Sequence, residues 1–464
     1  AGRGGPNPSE ENTMSESKRR FSVPHPLVLL TGCVILAAMA SYVLPAGEFD
    51  RRDDPITGRS VVVAGTYHEV ESNPVNLFDA IVALPRGMAD AADVIFLVFL
   101  IGGAFTVIDE TGALRRGVTS LIRKLKGRDL LVIPIVSIFF AMGGVVENMQ
   151  EEIIPLIPVL IILTRRLGFT PLVAVAMSAG AAFVGSAFSP INPFQVTIAQ
   201  QLAELPALSA AGFRIVFLLL ALTFWVSMTM RYAARTRGAS EAVSDSDEEG
   251  VTGADWGIFG LVGATFVLIV VGMLQWGWGF DQLSAAFFIM GLIVGGLAKM
   301  GMSGTAEAYV KGFRGMAYAG ILIGFARAIY VVLQDGRIVD TIVHGMFTPL
   351  EGLPVLASSL GMIVAQAAIH VPVPSVSGQA VLTMPVLVPL SDLLGMSRQV
   401  TVLAYQYGAG LCDLITPTNG ALMAILASAG VPYEDWIKFT VPLYGGLIAL
   451  GAISIAIALA IGLA

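Results

Sequence analysis

The chain carries little charge. Only 13% of its 464 residues are Asp, Glu, Lys or Arg, whereas soluble globular proteins carry roughly 25%. This deficit excludes an ordinary soluble enzyme. Hydrophobic residues make up 55% of the chain, and they fall into runs long enough to cross a bilayer as helices. The composition therefore predicts an all-α polytopic membrane protein with one integral domain.

Residues suited to enzymatic or metal chemistry are also scarce. The chain has two cysteines and four histidines, and they do not form a disulfide framework or a zinc-binding motif. The HExxH, Walker and GxSxG motifs are absent from the sequence. We therefore expect neither an enzyme nor a structural metal or cofactor. The expected partners are the lipid bilayer and a small organic solute, not a nucleic acid.

The apolar runs divide the chain into two units. Residues 1–13 resemble a tag or linker and are set apart from the fold. The first unit, 14–237, contains scaffold spans at about 27–46 and 91–108, a hairpin at 129–165, a broken helix at 171–204 and a span at 211–231. A cytoplasmic linker, 238–252, precedes the second unit, 253–464, with a hairpin at 346–394 and a broken helix at 399–429. Two amphipathic segments, 77–88 and 306–316, are predicted to be short interfacial arm helices.

Basic residues predict the orientation, because cytoplasmic loops are rich in Lys and Arg. Clusters of them precede the first span and follow the spans ending near 108, 165, 231 and 299. They include Lys18, Arg19, Arg20 and Lys126. We expect the N-terminus in the cytoplasm, the loop 47–76 outside, and a location in the bacterial cytoplasmic membrane.

The two units match each other at an offset of 227 residues. At this offset the tetrapeptide Ser189–Asn192 (SPIN) falls on Thr416–Asn419 (TPTN). The span at 281–299 has no counterpart in the first unit, so the second unit should be turned over in the membrane. Inverted repeats with broken helices are typical of secondary transporters, whose substrate site lies near the midplane between the repeats.

Polar interruptions within the apolar runs mark the candidate site. Unwound backbone at membrane depth is tolerated only where it is buried in protein or lines a cavity. Ionisable residues there are functional candidates by default. The predicted substrate ligands are Glu147, Asn148, Glu151, Ser189, Asn192, Arg327, Ser375, Ser377, Asp413, Thr416 and Asn419. A coupling ion, sodium or a proton, is expected near Asn148, Ser186, Asn192, Asp413 and Asn419.

Individual residues keep alternative interpretations. Arg327 could form a structural ion pair with Asp413 or an intramembrane glutamate, or it could hold a substrate carboxylate. Glu151 and Glu152 could instead cap the following helix. His370, just before the second hairpin tip, could relay protons or cap a helix.

Four stretches give the chain a recognisable family character: ENMQEEIIPLIPVL, VPVPSVSGQAVLTMPVL, GFARAIYVVLQDGRIVDTI and LITPTNG. In these the chain resembles the DcuC/YfcC-type four-carbon-dicarboxylate anaerobic carriers of the ion transporter superfamily, and most closely their YfcC-like branch. The resemblance implies a homodimer with a scaffold domain and a transport domain, the latter bearing two re-entrant hairpins and moving as an elevator. The parent family is labelled for dicarboxylates and the YfcC-like branch for antiport of basic amino acids.

The acidic candidate site favours an amino acid, which could be a basic one, over a dianion. An ammonium group could meet Glu147, Glu151 or Asp413, and a carboxylate could meet Arg327 or the dipole ends of the broken helices. The alternative is a C4-dicarboxylate or another organic anion, with cations offsetting the carboxylates. Coupling to sodium, to protons or to solute exchange stays open, and a channel or membrane-embedded enzyme is a remote alternative.

Overall fold

The computed structural model describes residues 25–53, 60–124, 128–206, 208–238 and 250–463. The predictions for residues 1–13, for Lys18, Arg19, Arg20 and Lys126, and for most of the linker 238–252 lie outside these ranges. Within them, nine helices are long and apolar enough to cross a membrane. The chain is a nearly all-helical, multi-pass membrane protein, as its composition predicts.

Helices account for most of the first half. They are α1 (Pro26–Val43), α2 (Leu77–Asp90), α3 (Ala92–Glu110), α4 (Ala113–Lys124), α5 (Val132–Glu147), α6 (Ile157–Arg166), α7 (Pro171–Val175), α8 (Ala181–Ala187), α9 (Ile198–Leu202) and α10 (Ala211–Thr236). Wider π-turns at Ala176–Gly180 and Pro193–Thr197 lead into α8 and α9. Short 3₁₀ turns at Asp129–Leu131 and Glu151–Leu156 precede α5 and α6.

The second half follows a similar order. Its helices are α11 (Gly253–Trp276), α12 (Phe280–Leu297), α13 (Gly301–Asp335), α14 (Val339–Phe347), α15 (Val355–His370), α16 (Val376–Leu393), α17 (Arg398–Cys412), α18 (Gly420–Ala429) and α19 (Tyr433–Ala460). A 3₁₀ turn at Thr348–Leu350 follows α14. The hairpin predicted at 346–394 is shorter than expected, because residues up to Phe347 belong to the separate helix α14.

The helices form two groups that meet along α13 and α3. In one group, called the framework here, α13 packs on α1, α2 and α3, and α3 packs on α12. In the other, called the hairpin body, α5 packs on α8, α15 on α17, and α19 on α10 and α17. The groups touch where α18 lies on α13 and where Glu151–Leu156 lies on α3. The site therefore lies at the junction of two helix groups.

One expectation for the framework was wrong. Segment 306–316 is not a separate arm helix, because it continues into the 35-residue helix α13. It packs on α3 so closely that a Cβ at Gly312 would lie 2.6 Å from the carbonyl oxygen of Gly102. The loop 47–76 contains two small antiparallel sheets. Strand β1 (Gly47–Glu48) pairs with β4 (His68–Glu69), and β2 (Arg51–Asp53) pairs with β3 (Ser60–Val62).

Each predicted hairpin and broken helix contains a bend at the expected position. The first hairpin turns at 148–150 and the second at 371–375. The first broken helix is interrupted at 188–192 and the second at 413–419. Pro190 and Pro417 lie in these two interruptions, where a proline removes a backbone donor and stops a helix. The inverted relation between the two halves stays a prediction.

Candidate functional site

The tip of the first hairpin, between α5 and the 3₁₀ turn Glu151–Leu156, is rich in polar residues. Asn148 ends α5 in the left-handed backbone region (φ 59°), which asparagine tolerates better than most residues. Glu147 is only 8% exposed, and its Oε1 has no hydrogen-bond partner in the described part of the chain. The Oε2 atom of Glu152 accepts from the backbone N–H of Gln150 at 3.2 Å. This tip therefore places a buried carboxylate oxygen without a partner at the junction.

The tip of the second hairpin lies across from the first. Ser375 caps α16 by accepting a hydrogen bond from the backbone N–H of Gly378 at 3.2 Å. Ser377 follows in the first turn of α16, and both serines are half-buried. The first turn of α16 therefore lies at the junction. The partial positive charge of its N–H groups favours binding of a substrate carboxylate there.

The first break braces the first tip. Asn192 accepts from the backbone N–H groups of Phe194 and Gln195 at 3.0 Å each, and its Nδ2 donates to the carbonyl of Gly144 at 2.8 Å. Ser189 donates to the carbonyl of Val145 at 2.7 Å. These bonds tie the break to the last turn of α5.

The first break was predicted to bind substrate, but its two predicted ligands do not line the cavity. Ser189 and Asn192 are fully buried behind the tip and do not belong to the cavity lining. Ser186 bonds to the side chain of Asn148 and lies 3.0 Å from Oε1 of Gln195. These hydroxyl and amide groups satisfy backbone and side-chain partners, so the structure places them as supports of Asn148. Direct binding by them stays a prediction.

The second break brings Asp413 and Asn419 together. Asn419 caps α18 by accepting from the N–H of Leu422 at 2.9 Å, and its Nδ2 donates to Oδ1 of Asp413 at 2.6 Å. The same Nδ2 donates to Oε1 of Gln150 at 3.0 Å, and Gln150 Nε2 donates to Oδ2 of Asp413 at 3.0 Å. Thr416 is buried beside Cys412, with 2.9 Å between Oγ1 and Sγ, and is not part of the cavity lining.

A cavity of about 430 Å³ lies between the two tips and the framework. It brings together Glu147, Asn148, Glu151, Ser375, Ser377, Asp413, Asn419 and Arg327 from the predicted set. Its acidic lining residues are Asp90, Asp93, Glu147, Glu151, Glu152 and Asp413. Among the described lining residues, Arg327 is the only basic one. The cavity is therefore strongly acidic, with one cationic group on the framework side.

Arg327 pairs with a carboxylate that the sequence did not suggest. Its Nε bonds to Asp90, at the end of α2, and not to Asp413 or to a tip glutamate. Its guanidinium also lies 5.0 Å from the ring centre of Tyr330. The expected pairing with Asp413 is wrong because Asp413 has three other donors in the hairpin body. Arg327 remains about 39% exposed on the cavity side, so a ligand can reach it.

Several residues that lie at the site were not among the ligands predicted from the sequence. His370, considered there only as a relay or a cap, is fully buried and lies 2.8 Å from Oδ1 of Asp413. Gln150, Gln195 and Gln379 are also buried and carry hydrogen bonds that link tips and breaks. These glutamines could have been found from the sequence, because a glutamine inside an apolar run is a buried amide that needs specific hydrogen-bond partners.

The chain matches known membrane transporters over nearly its whole length. The model of the family described as C4-dicarboxylate anaerobic carrier (DcuC) matches residues 23–460. A protein of Escherichia coli strain K12 with the name "Putative basic amino acid antiporter YfcC" is 31% identical, covering 95% of this chain and 97% of its own. An uncharacterized protein of Haemophilus influenzae is 27% identical, with the same coverage of 95% and 97%.

Two solved transporter structures show a weaker likeness. The YdaH transporter of Alcanivorax borkumensis has a TM-score of 0.47 and 17% identity, covering 95% of this chain and 99% of that one. MtrF of Neisseria gonorrhoeae, described among antimetabolite efflux pumps, has a TM-score of 0.44 and 18% identity, covering 94% and 95%.

Proposed function

The chain belongs to the C4-dicarboxylate anaerobic carrier (DcuC) family of membrane transporters, which confirms the resemblance of its motifs, and on this premise we propose that it carries a basic amino acid. The transport is secondary and active, across the bacterial cytoplasmic membrane, with the N-terminus inside. The observation that carries this proposal is the cavity, where six carboxylates face one arginine.

Charge decides between the substrate classes. Two unit charges 4 Å apart interact by about 4 kcal/mol at the effective dielectric of a protein surface. A cationic side chain near Glu147, whose Oε1 lacks a partner, gains from this attraction. The α-carboxylate then lies at Arg327 or at the N-terminus of α16. The name of the 31% identical relative, a basic amino acid antiporter, points to the same class.

A C4-dicarboxylate is the second candidate, and two observations favour it. The family model carries that description, and Arg327 offers a guanidinium suited to a carboxylate. A dianion in this cavity needs cations to offset the six acidic side chains, so its binding would require sodium or protons. This requirement makes the two candidates separable by experiment.

Substrate exchange in proteoliposomes tests the proposal. We expect labelled arginine to exchange against internal arginine, lysine or ornithine without sodium, while fumarate and succinate neither exchange nor compete. Thermal-shift assays on the detergent-purified protein should agree, since a ligand raises apparent stability by mass action. Sodium-dependent exchange of fumarate without exchange of arginine would instead establish the dicarboxylate candidate.

An elevator movement fits the arrangement of the helices. Both tips, both breaks and the buried polar network belong to the hairpin body, whereas Arg327 and Asp90 belong to the framework. We infer that the hairpin body carries the substrate past the framework, with the framework forming the expected homodimer contact. In inverted repeats, equivalent ends of the two hairpins lie on opposite sides of the membrane.

Thiol labelling tests that inverted arrangement. We expect a membrane-impermeant reagent to label Arg165→Cys, at the end of α6, from the cytoplasm. It should label Leu393→Cys, at the end of α16, from the outside. Both positions are exposed, and Cys33 and Cys412 are replaced in the parent to remove background labelling. Labelling of both variants from the same side would rule out the inverted repeat.

A further inference from the structure

We propose that His370 and Asp413 together hold the proton that this transporter exchanges for its substrate. The inference rests on the proposed function for the identity of the substrate, but the proton site itself rests on geometry. His370 ends α15 and is fully buried, with Nε2 at 2.8 Å from Oδ1 of Asp413 and Nδ1 at 2.9 Å from Oε1 of Gln379. Asp413 is part of the cavity lining.

The hydrogen-bond network determines which ring nitrogen carries a proton. Gln379 directs its Nε2 at the backbone carbonyl of Gln366, at 2.7 Å. A carbonyl only accepts, so the amide nitrogen must be on that side and Oε1 must face His370. An amide oxygen also only accepts. Nδ1 of His370 is therefore a donor and carries a hydrogen.

The other side of the ring then requires a second proton. With Nδ1 protonated, neutral His370 presents a lone pair at Nε2 to a carboxylate oxygen, which is an acceptor facing an acceptor. The 2.8 Å contact with Asp413 becomes a hydrogen bond only when one more proton lies between them. The pair is thus either an imidazolium with a carboxylate or a neutral imidazole with a carboxylic acid.

The surroundings of Asp413 favour the imidazolium. Asn419 is oriented by the N–H of Leu422, so that its Nδ2 donates to both Asp413 and Gln150. Gln150 in turn must direct Nε2 at Asp413. The carboxylate therefore accepts two amide donors besides His370, and hydrogen bonds to the charged form stabilise it. We assign the proton to Nε2 of His370.

The same hydrogen bonds argue against sodium at these positions. Every oxygen of Asp413 and the side-chain oxygen of Asn419 already accept from protein donors. On the first-break side, Asn192 Oδ1 accepts from two backbone N–H groups, and Asn148 Oδ1 bonds to Ser186. A sodium ion would have to share these oxygens with their donors, whereas a proton completes the one contact that lacks a hydrogen.

Other ionisable groups near the pair define its electrostatic environment. Helix α16 contributes the neutral Gln379, while α14 directs its Asp340 and His344 to Arg51 and Tyr67. The remaining neighbours are Cys412 on α17, Tyr433 and Tyr444 on α19 near that thiol, and Glu151 on the first tip, which interacts with Asp413. Asp413 also shares the cavity with Arg327, the one basic residue of the described lining, and with the glutamates of the first tip.

Competition between two cations then couples the fluxes. A substrate ammonium or guanidinium that approaches Asp413 from the cavity repels the imidazolium on the other side of the same carboxylate. The Nε2 proton leaves to water in the cavity, and the neutral ring remains with Nδ1 bonded to Gln379. When the substrate departs, a proton returns to Nε2. One proton is thus exchanged for one substrate molecule, which is antiport.

Proton release on binding tests the coupling. Arginine added to weakly buffered wild-type protein is expected to release about one proton per bound molecule, observed with a pH-sensitive dye. His370→Gln keeps a donor for Asp413 but has no titratable nitrogen. It should therefore lose this release per bound arginine and lose accumulation driven by a pH gradient. The control His344→Gln, at an exposed histidine outside the cavity lining, should behave as wild type.

The outcomes separate the proton site from the substrate assignment. Wild-type arginine exchange with unchanged proton release in His370→Gln would overturn the proton site alone. Absence of arginine exchange in the wild type would overturn the proposed substrate and leave the site to a second measurement. Nitrogen-15 spectra of the four histidines, assigned with the two variants, should show both ring nitrogens of His370 protonated in the protein without substrate. An unprotonated Nδ1 would overturn the proposal irrespective of substrate.

Discussion

Replacing Glu147 by glutamine is expected to weaken arginine binding at least about 30-fold, because removing one partner of a desolvated charge pair costs 2 kcal/mol or more. Glu147 is 8% exposed and belongs to the cavity lining, and its Oε1 has no partner in the described part of the chain. The glutamine has the same shape, so the loss reports on charge. Arginine titrations by thermal shift and concentration-dependent exchange in proteoliposomes both measure it.

The stability of the empty protein provides a second readout for Glu147→Gln. A buried carboxylate oxygen without a partner is costly in the absence of ligand. The variant should therefore unfold at the same temperature as the wild type or at a higher one, while the arginine-induced shift in Tm is lost. A structural role for Glu147 would instead lower the Tm of the empty variant.

A matched control removes the effect of overall charge. Glu307→Gln also deletes one carboxylate, from an exposed position on α13 that is not part of the cavity lining. Its arginine affinity should equal that of the wild type. Equal affinities for all three proteins would exclude Glu147 from the substrate site.

Arg327→Lys is expected to weaken arginine binding by about 10- to 150-fold, the range of a lost hydrogen bond to a charged group. A lysine keeps the positive charge but cannot form the paired N–H bonds of a guanidinium. In the empty protein the Nε of Arg327 bonds to Asp90, so the substrate carboxylate is expected at the terminal N–H groups of the guanidinium. Binding affinity at equilibrium is the measured quantity.

A ligand without the carboxylate turns this variant into a test of geometry. Agmatine is arginine lacking its carboxylate, so it cannot use the proposed contact. Agmatine should bind the wild type and Arg327→Lys with equal affinity, whereas arginine should distinguish them. Equal losses for both ligands would mean that Arg327 supports the cavity through Asp90 and not through the substrate.

The control for the comparison of arginine with agmatine is a second arginine that forms an ion pair. Arg86 bonds to Asp335 at the framework surface and is about half exposed, outside the cavity lining. Arg86→Lys should leave both affinities unchanged. Exposed ion pairs contribute little to stability, so the variant should also fold normally.

The sequence predicted the fold and the tips because both leave strong local signals. Long apolar runs predict spans, and polar residues such as Glu147 or Ser375 within them mark unwound backbone at membrane depth. The bends at 148–150 and 413–419 confirm these positions. The second hairpin begins later than predicted, because its first helix α15 begins at Val355, after the 3₁₀ turn Thr348–Leu350.

Partners were harder to predict than positions. Arg327 was recognised as an unusual intramembrane cation, but its partner Asp90 lies at the end of a separate short helix. The proximity of these two residues in the folded chain cannot be predicted from the sequence. His370 was considered as a proton relay or a helix cap, but its partner Asp413, 43 residues away, was not predicted. Pairings of this kind depend on packing and on no local pattern.

The hydrogen bond between Gln150 and Asp413 has a consequence for biosynthesis. The two residues are 263 positions apart, so the first tip is made long before its partner exists. At a synthesis rate of about 5–20 residues per second, the interval is roughly 13 to 53 seconds. During this time the amide of Gln150 has to find water or lipid headgroups. The hydrogen bond between the first tip and the second break therefore cannot form until the ribosome has nearly finished the chain, and an insertase or chaperone has a defined period in which to act.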